Sequence, residues 1–324
     1  MIFRTEIDIA RLPFGIDYTT SILSMGSCFA ERIVERLRRA KFRATLSPTG
    51  ILFNPASIAQ TLTAFAEGQE ADGNMLVERE GGWVSLMAHS AIAGNSREEA
   101  LSTLSESYKQ GKEALQRADT LILTFGTAWV YTLPSGEVVA NCQKVPQRNF
   151  LRRRLSVTEI VEMFRPLLGG VLSDKNVIFT VSPVRHIGDG LAENSLSKAT
   201  LRVAIEELCA EFKNAYYFPA YECLVDDLRD YRFYATDMIH PSEQAVEYIW
   251  EKFTRCALTP QALELLPRVN KVITAAAHRP TNPHSAEYAD FCRRTLDTIA
   301  SMPEVDFSEE KAHLLSKLKS FTNA

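Results

Sequence analysis

The amino-acid sequence predicts an α/β protein, a three-layer α/β/α sandwich with a mostly parallel central sheet. Short apolar runs recur along the chain, and amphipathic helical segments lie between them. The two most apolar runs, Thr120–Phe125 and Asn176–Val181, have the composition of strands that are buried on both faces. Strands that alternate with helices favour a parallel sheet with helices on both sides.

The elements of this sheet follow one another along the chain. Residues 21–25 form the predicted first strand, and the helix after it carries apolar residues on one face and charged residues on the other. Residues 42–46 alternate as a second strand, and residues 215–218 form the last one. Three further helices are predicted, from the capping box at residues 156–159, over residues 195–213, and after Pro241.

Two stretches are predicted to be additions to this core. Residues 55–118 contain a hairpin at 75–86 with helices on either side. Residues 258–324 are helical and are interrupted by a loop at 279–284. We therefore expect an α/β domain over residues 1–257 that carries the insertion, and a C-terminal helical extension packed on it.

Composition narrows the possible functions of the chain. The formal net charge of −4 and the absence of a basic cluster argue against nucleic-acid and anionic-membrane partners. No apolar stretch reaches the roughly 20 residues of a membrane helix, and the N-terminus lacks the features of a signal peptide. We expect a cytoplasmic protein whose six cysteines are free thiols, with no metal and no cofactor, because no Cys or His spacing matches a zinc site.

The first chemically suggestive segment is Gly26-Ser27-Cys28. It follows the first predicted strand and opens an amphipathic helix, where free backbone N–H groups and the helix dipole stabilise a thiolate or an oxyanion. A simpler interpretation is that Ser27 caps the helix and Cys28 packs inside it.

The second such segment is Asp237-Met238-Ile239-His240. A carboxylate three residues from an imidazole can orient it and stabilise its protonated form, although a purely structural hydrogen bond has the same signature. A nucleophile, a base and a base-orienting carboxylate are together the minimum set for covalent acyl transfer.

Several longer motifs resemble those of a known family. The segment Gly26-Ser27-Cys28-Phe29-Ala30 matches the motif that names the GSCFA family. Further matching stretches are residues 50–55 (GILFNP), 124–129 (TFGTAW), 182–186 (SPVRH) and 228–234 (LRDYRFY). The resemblance covers most of the chain and implies an SGNH/GDSL-hydrolase-like fold and activity.

The resemblance assigns roles to the first and last motifs. In SGNH enzymes the first block reads Gly-Asp-Ser, with the serine as nucleophile. Aligned on Gly26, Ser27 stands at the aspartate and Cys28 at the nucleophile, so Cys28 is the first candidate and Ser27 the second. Asp237 and His240 match the superfamily's Asp-x-x-His block.

The middle motifs concern the oxyanion hole. In SGNH enzymes a glycine of the second conserved block supplies a backbone N–H group to the oxyanion hole, and Gly50 stands at that position. The third block normally supplies an asparagine amide, but Ala128 occupies that position. The candidate substitutes are Asn54, Thr127 and Asn141, with Asn54 preferred, and each of them could instead be a turn or cap residue.

Three other residues are weaker candidates, and a fourth departs from the family pattern. Arg185 and His186 follow a predicted strand and should face the same crevice, where Arg185 could hold a carboxylate or phosphate. Arg185 could equally pair with Asp227 or Asp230. His89 could reach the site from the insertion, and Gln143 stands where the family usually has histidine.

These observations predict an acyl-ester hydrolase or acyltransferase that works through a covalent acyl-enzyme. The expected partner is a small-molecule acyl ester or an acylated carbohydrate. The alternative is an SGNH-like binding module that has lost turnover, which the missing asparagine at Ala128 favours and the intact Asp237–His240 pair opposes. The sequence leaves the oligomeric state open.

Overall fold

The computed structural model describes residues 5–79, 81–282 and 285–322. Position 80 of the predicted hairpin and positions 283 and 284 of the predicted loop lie outside the described residues. In chain order the strands are β1 Ser21–Gly26, β2 Arg43–Leu46, β3 Leu76–Arg79, β4 Gly82–Ser85, β5 Ala93–Gly94, β6 Thr120–Phe125, β7 Trp129–Thr132, β8 Val138–Val139, β9 Leu151–Arg154, β10 Asn176–Val181 and β11 Ala215–Tyr217. The α-helices are α1 Cys28–Arg39, α2 Pro55–Glu67, α3 Arg97–Arg117, α4 Val157–Gly169, α5 Leu191–Glu211, α6 Ala220–Glu222, α7 Glu243–Ala257, α8 Pro260–Ala277, α9 Ala286–Ala300 and α10 Ser308–Thr322.

The central sheet confirms the predicted α/β fold. Its strand order is β11-β10-β6-β1-β2, and the β1–β6, β6–β10 and β10–β11 ladders are parallel. All five strands are those predicted from the sequence, with ends that differ by at most one residue. Helices flank the sheet, as in a three-layer α/β/α sandwich.

The apolar runs form strands because both of their faces are buried. Every residue of β6 is buried, and five of the six residues of β10 are buried. On one face, Leu121, Leu123 and Phe179 pack in a single cluster with Phe164 of α4 and Ile205 of α5. The alternate residues of the same strands point to the opposite face.

The strand order creates a crevice beside β1. When only the five strands of this sheet are numbered in chain order, their spatial order is 2-1-3-4-5. The second strand lies on one side of β1 and the later strands lie on the other side, so the direction of strand addition reverses between β1 and β6. In open parallel sheets, ligands bind at this switch point, outside the carboxyl ends of the strands. The Gly26-Ser27-Cys28 segment follows β1, and Gly126-Thr127 follows β6, so the two segments flank the switch point.

The region predicted as an insertion holds α2, α3 and an antiparallel sheet of order β3-β4-β5. A second antiparallel sheet, of order β8-β7-β9, follows the end of β6 and was not predicted from the sequence. Its strands have two to four residues, which is too short for a clear alternating pattern.

The chain divides into two compact units. The first comprises Met1–Ala10, Ser21–Glu35 and Ala44–Phe253, and the second comprises Arg11–Thr20, Arg36–Arg43 and Thr254–Ala324. The second unit contains α8, α9 and α10. Within it, the Tyr18 and Phe42 rings stack with centroids 4.4 Å apart, and Lys41 forms a 2.6 Å ion pair with Glu310.

Gly26 ends β1 in a conformation that only glycine tolerates well. Its φ is +138°, and a Cβ atom there would lie 2.2 Å from the Thr124 carbonyl oxygen on β6. We expect Gly26→Ala to lose about 1–2 kcal/mol of unfolding free energy through backbone strain and a further ~1–3 kcal/mol through overpacking. Gly136→Ala is the matched control, because Gly136 has a φ of +96° but open space around it. If Gly26→Ala and Gly136→Ala lost equal amounts of unfolding free energy in urea denaturation, the close approach of residue 26 to β6 would be contradicted.

Candidate active site

The turn after β1 separates Ser27 from Cys28. The Ser27 N–H donates to the Thr124 carbonyl at 3.1 Å, which locks the turn onto β6. The Ser27 side chain is 1% exposed, and its Oγ accepts the Phe29 N–H at 3.3 Å. Cys28 begins α1, is partly exposed and lines a cleft. Ser27 therefore caps the helix, whereas Cys28 faces the space that a ligand would enter.

The cleft has a volume of about 700 Å³. Seven of the residues singled out in the sequence line it: Cys28, Asn54, Thr127, Asn141, Arg185, His186 and His240. A larger cavity, of about 910 Å³, lies against α8 and α9. None of the residues singled out as site candidates lines that second cavity, so the candidates gather in the cleft beside Cys28.

The Asp237–His240 pair has the geometry of a base and its orienting group. His240 Nδ1 lies 2.7 Å from Asp237 Oδ2, and Asp237 Oδ1 accepts the backbone N–H groups of Ile239 and His240. These bonds, the His240 side chain first, lower the pKa of Asp237 to about 2. Because the carboxylate takes Nδ1–H, Nε2 remains for proton exchange in the cleft.

Backbone hydrogen bonds hold the loop that carries Asp237 and His240, both within the loop and to the segment after β10. Met238 adopts a φ of +58°, and the Ala235 N–H donates to the His240 carbonyl at 2.7 Å. The Arg185 N–H donates to the Ile239 carbonyl at 3.2 Å, which ties the loop to the segment after β10. His240 is thus placed by backbone bonds, although its side chain is half exposed.

Asn54 lies beside residues 126–128, where Ala128 stands at the position of the third-block asparagine of SGNH enzymes. The neighbouring Phe53 carbonyl accepts the N–H groups of Gly126 and Thr127 at 2.8 and 2.9 Å. Asn54 Oδ1 caps α2 by accepting the Ser57 N–H at 2.8 Å, and the residue lines the cleft. With Oδ1 occupied by the cap, the Nδ2 amide is the part of the side chain that can donate to a ligand.

The two other predicted amide or hydroxyl donors have structural bonds of their own. Asn141 lines the cleft, and its Oδ1 accepts the Gln143 N–H at 2.8 Å. Thr127 Oγ1 lies 3.1 Å from Ser197 Oγ and accepts the Trp129 N–H. The Thr127 hydroxyl thus holds the loop after β6.

Gly50 does not have the role that the sequence predicts for it. Its N–H closes a turn onto the Ser47 carbonyl at 2.9 Å, so it is not directed at a substrate. With a φ of +77°, a Cβ there would lie 2.6 Å from His89 Cβ. The glycine is required for close packing against His89, and His89 does not line the cleft.

His186 is a second histidine in the cleft. Its Nε2 lies 3.4 Å from the position that a Cβ on Gly126 would take, and its ring meets Phe53 edge-on at 6.0 Å. Burial first, then the charges of Lys198 and His240, lower the pKa of His186 to about 4. The imidazole is therefore neutral near pH 7 and can donate or accept a hydrogen bond.

Arg185 is held against aromatic rings. Its guanidinium lies 3.8 Å from the centroid of Tyr234 and 5.2 Å from that of Tyr231. The pairing with Asp227 or Asp230 considered from the sequence is not seen, because Asp230 binds Arg232 and Asp227 accepts the Tyr248 hydroxyl.

Sequence reasoning missed the polar residues of α5 that support the site. Asn194 Oδ1 accepts the His186 N–H, Ser197 Oγ accepts the Ala128 N–H, and Lys198 Nζ donates to two carbonyls. All three side chains are buried. The signal was present in the sequence, because Asn194 and Lys198 share a helical face with apolar Leu201 and Ile205.

Gln143, flagged as a departure from the family, has a structural role. Its φ is +54°, and its buried Nε2 donates to the carbonyls of Ser85 and Ala88 at 2.6 and 2.9 Å. The amide therefore joins the cleft-lining segment around Asn141 to the end of β4.

Comparison with known proteins bears on these motifs. The sequence model of the GSCFA family matches residues 21–253, which hold every residue discussed above as a site candidate. The chain belongs to the GSCFA family. The model of the GSCFA domain protein, C-terminal domain, matches residues 269–320. No curated protein matches the chain.

Neither a membrane-spanning helix nor a metal-binding cluster occurs among the described residues. None of the helices formed by residues 5–79, 81–282 and 285–322 has the length and apolar character needed to cross a membrane. Within the same residues, no group of three or more His, Cys, Asp or Glu side chains is arranged to hold a metal ion. All six cysteines are free thiols, as the sequence predicts.

Proposed function

We propose that this GSCFA protein is an SGNH-type acyl-ester hydrolase or acyltransferase that forms a covalent acyl-enzyme on Cys28. One observation carries the proposal: Cys28, at the N-terminus of α1, and His240, oriented by Asp237, line the same cleft at the switch point of the sheet. Free thiols fit the reducing cytoplasm that the sequence predicts.

In the first half-reaction the Cys28 thiol loses its proton to His240 Nε2, and Sγ attacks the acyl carbonyl carbon. The tetrahedral intermediate carries its negative charge on the former carbonyl oxygen. When it collapses, the bond to the leaving group breaks, and the leaving oxygen or sulfur takes the proton from His240. Water or an acceptor hydroxyl then repeats the sequence at the thioester, and Cys28 regains its proton.

The oxyanion in this mechanism is stabilised by the Cys28 N–H at the N-terminus of α1 and by the Asn54 Nδ2 amide. The helix N-terminus supplies a donor and a positive dipole end at the reacting carbon. Asn54 stands beside Gly126 and Thr127 and so takes the place of the amide that Ala128 lacks.

Asn54→Asp separates the catalytic and the structural contributions of this residue. A carboxylate still accepts the Ser57 N–H and caps α2, but it cannot donate to an oxyanion. We expect kcat to fall about 100- to 1000-fold, with little change in the unfolding midpoint. Asn54→Ala should lose about 1 kcal/mol of stability in addition. Full activity in Asn54→Asp would exclude the amide as a donor.

The walls of the cleft indicate which acyl donors it accepts. Trp129 and Tyr131 of β7 line it, with Arg152 of β9 lying 3.9 Å from the Trp129 ring. Lys144 also lines it, and none of the described lining residues is Asp or Glu. Such a lining suits an ester or thioester that presents a flat or apolar portion together with a neutral or anionic group. Acylated sugars and acyl thioesters both belong to this class.

A binding module without turnover is the second candidate, favoured by Ala128 at the third-block position. A thiol-reactive probe competed by model aryl esters, thioesters and acylated sugars distinguishes the two. The enzyme proposal predicts that at least one of these compounds both protects Cys28 and releases its leaving group with repeated turnover. Protection of Cys28 with no release from any compound would favour the binding module.

A further inference from the structure

A buried lysine lies at the carboxyl ends of two sheet strands. The Lys198 side chain is 2% exposed, and Nζ donates to the Gly126 carbonyl at 2.6 Å and to the Ser182 carbonyl at 2.7 Å. Gly126 follows β6 and Ser182 follows β10, so the amine spans adjacent strand ends. The two carbonyls use two of the three hydrogens of an ammonium group, and one remains.

Burying a charge at this place is unfavourable unless an opposite charge faces it. Two carbonyl dipoles solvate an ammonium but do not neutralise it. Gly126, whose carbonyl holds Nζ, packs against the turn that carries Cys28, because a Cβ on Gly126 would lie 3.3 Å from Ser27 Cβ. Cys28 lines the cleft beside this turn, and no Asp or Glu is among the described lining residues, so an ionised Cys28 is the anion that the cleft can offer. On the other sides lie the neutral His186 imidazole and the Tyr221 ring, whose centroid is 5.8 Å from Nζ.

We infer that the Lys198 ammonium is the internal counter-ion of the Cys28 thiolate, and that its two carbonyl bonds fix this charge at the strand ends beside the nucleophile. Lys198 is thus a positioning residue that acts through Cys28 and does not touch the substrate. The inference rests on the proposed role of Cys28, but it concerns the ionisation of the thiol and can be tested without turnover.

The electrostatics of the pair are mutual. The pKa of Cys28 is raised overall, chiefly by burial and with a further contribution from Glu31 on α1, whereas the Cys28 N–H, Lys198 and the Phe29 N–H act in the lowering direction. Burial lowers the pKa of Lys198 to about 7, and Cys28 raises it. His240 acts on His186, and Asp237 acts through its bonds to His240 and Ile239. Each charge therefore favours the other, and the apparent pKa values belong to the pair.

The test is the pH dependence of Cys28 alkylation by iodoacetamide in the full-length protein, read by peptide mass spectrometry. Lys198→Gln keeps two N–H donors for the carbonyls but removes the charge. We expect Cys28 to be alkylated at least about tenfold more slowly at pH 7, because an opposite charge nearby shifts a pKa by about 1–3 units. Lys198→Arg, which keeps the charge, should restore most of the rate.

Two controls isolate the charge effect. Cys142 lines the same cleft, and burial alone raises its pKa, so its alkylation profile should not move with Lys198→Gln. Lys175→Gln is the matched lysine variant, since Lys175 Nζ donates to the Ala118 carbonyl at 2.8 Å before β6 and β10 begin. It should leave the Cys28 profile unchanged.

An unchanged Cys28 profile in folded Lys198→Gln would overturn the inference and make Lys198 a structural residue only. Lys198→Met is the second neutral variant, for use if the glutamine variant does not fold. A shifted profile in a protein with no turnover would uphold the counter-ion and refute the proposed function.

Discussion

Cys28→Ala is expected to abolish turnover of every ester and thioester substrate. The substitution removes the atom on which we propose that the acyl-enzyme forms, and loss of the nucleophile from an enzyme with a covalent acyl intermediate costs about 10⁶-fold in kcat. Cys28 is only partly buried at the first turn of α1, so the fold should persist. Initial rates over a substrate panel, with circular dichroism as a check on folding, measure the effect.

The neighbouring serine is the matched control for this substitution. Ser27→Ala removes a buried hydroxyl that accepts the Phe29 N–H, so it should lose about 1 kcal/mol of stability while turnover persists. The opposite pattern, an active Cys28→Ala and an inactive Ser27→Ala, would assign the nucleophile to Ser27. Cys28→Ser should be weak, because the geometry is kept but the hydroxyl is much harder to ionise than the thiol.

His240→Ala is expected to have the second-largest effect, a loss of about 10³- to 10⁴-fold in kcat. General acid–base catalysis contributes about 10²- to 10⁴-fold, and in the proposed mechanism one imidazole serves both the attack and the departure of the leaving group. The side chain is half exposed, so its removal should change the unfolding midpoint little. Stopped-flow assays that separate acylation from deacylation measure both steps.

Asp237→Asn is the companion variant. An amide can still accept the backbone N–H groups, but it cannot hold His240 in the tautomer with Nδ1–H, so we expect a comparable loss of kcat. Because the pKa of Asp237 is about 2, its carboxylate stays ionised as the pH falls through the mildly acidic range. Protonation of Asp237 should therefore not contribute to any loss of activity in that range. If His240→Ala and Asp237→Asn both kept native rates, the pair would be structural.

Local patterns predicted the fold because each of them reports burial directly. The run Thr120–Phe125 forms a central strand because a strand covered on both faces needs mostly apolar residues along its whole length, and all six of its residues are buried. The turn at Gly26 was recognisable because a strand, a glycine and an amphipathic helix adjoin in the sequence. The small β8-β7-β9 sheet gave no such signal, because its strands are short and its lining of the cleft depends on tertiary structure.

The site was predictable only where a motif is local. Asp237 and His240 lie in one loop, so their hydrogen bond could be expected. The Gly50 N–H was misassigned because its bond to Ser47 depends on a turn that the motif does not specify. Lys198 was missed because a lysine on an apolar helical face usually reaches water, and its burial depends on the ends of two distant strands.

The most direct test of the account is the location of the acyl group after incubation with an acyl thioester under conditions that slow deacylation. His240→Ala at mildly alkaline pH provides these conditions, because thiolate attack on an activated donor needs no general base, whereas water does. A Cys28 acyl-enzyme should give one acyl group per chain, carried on the peptide that contains Cys28 and removed by hydroxylamine. An acyl group on Ser27, or no acyl group on this peptide while the native protein turns over the same donor, would contradict it.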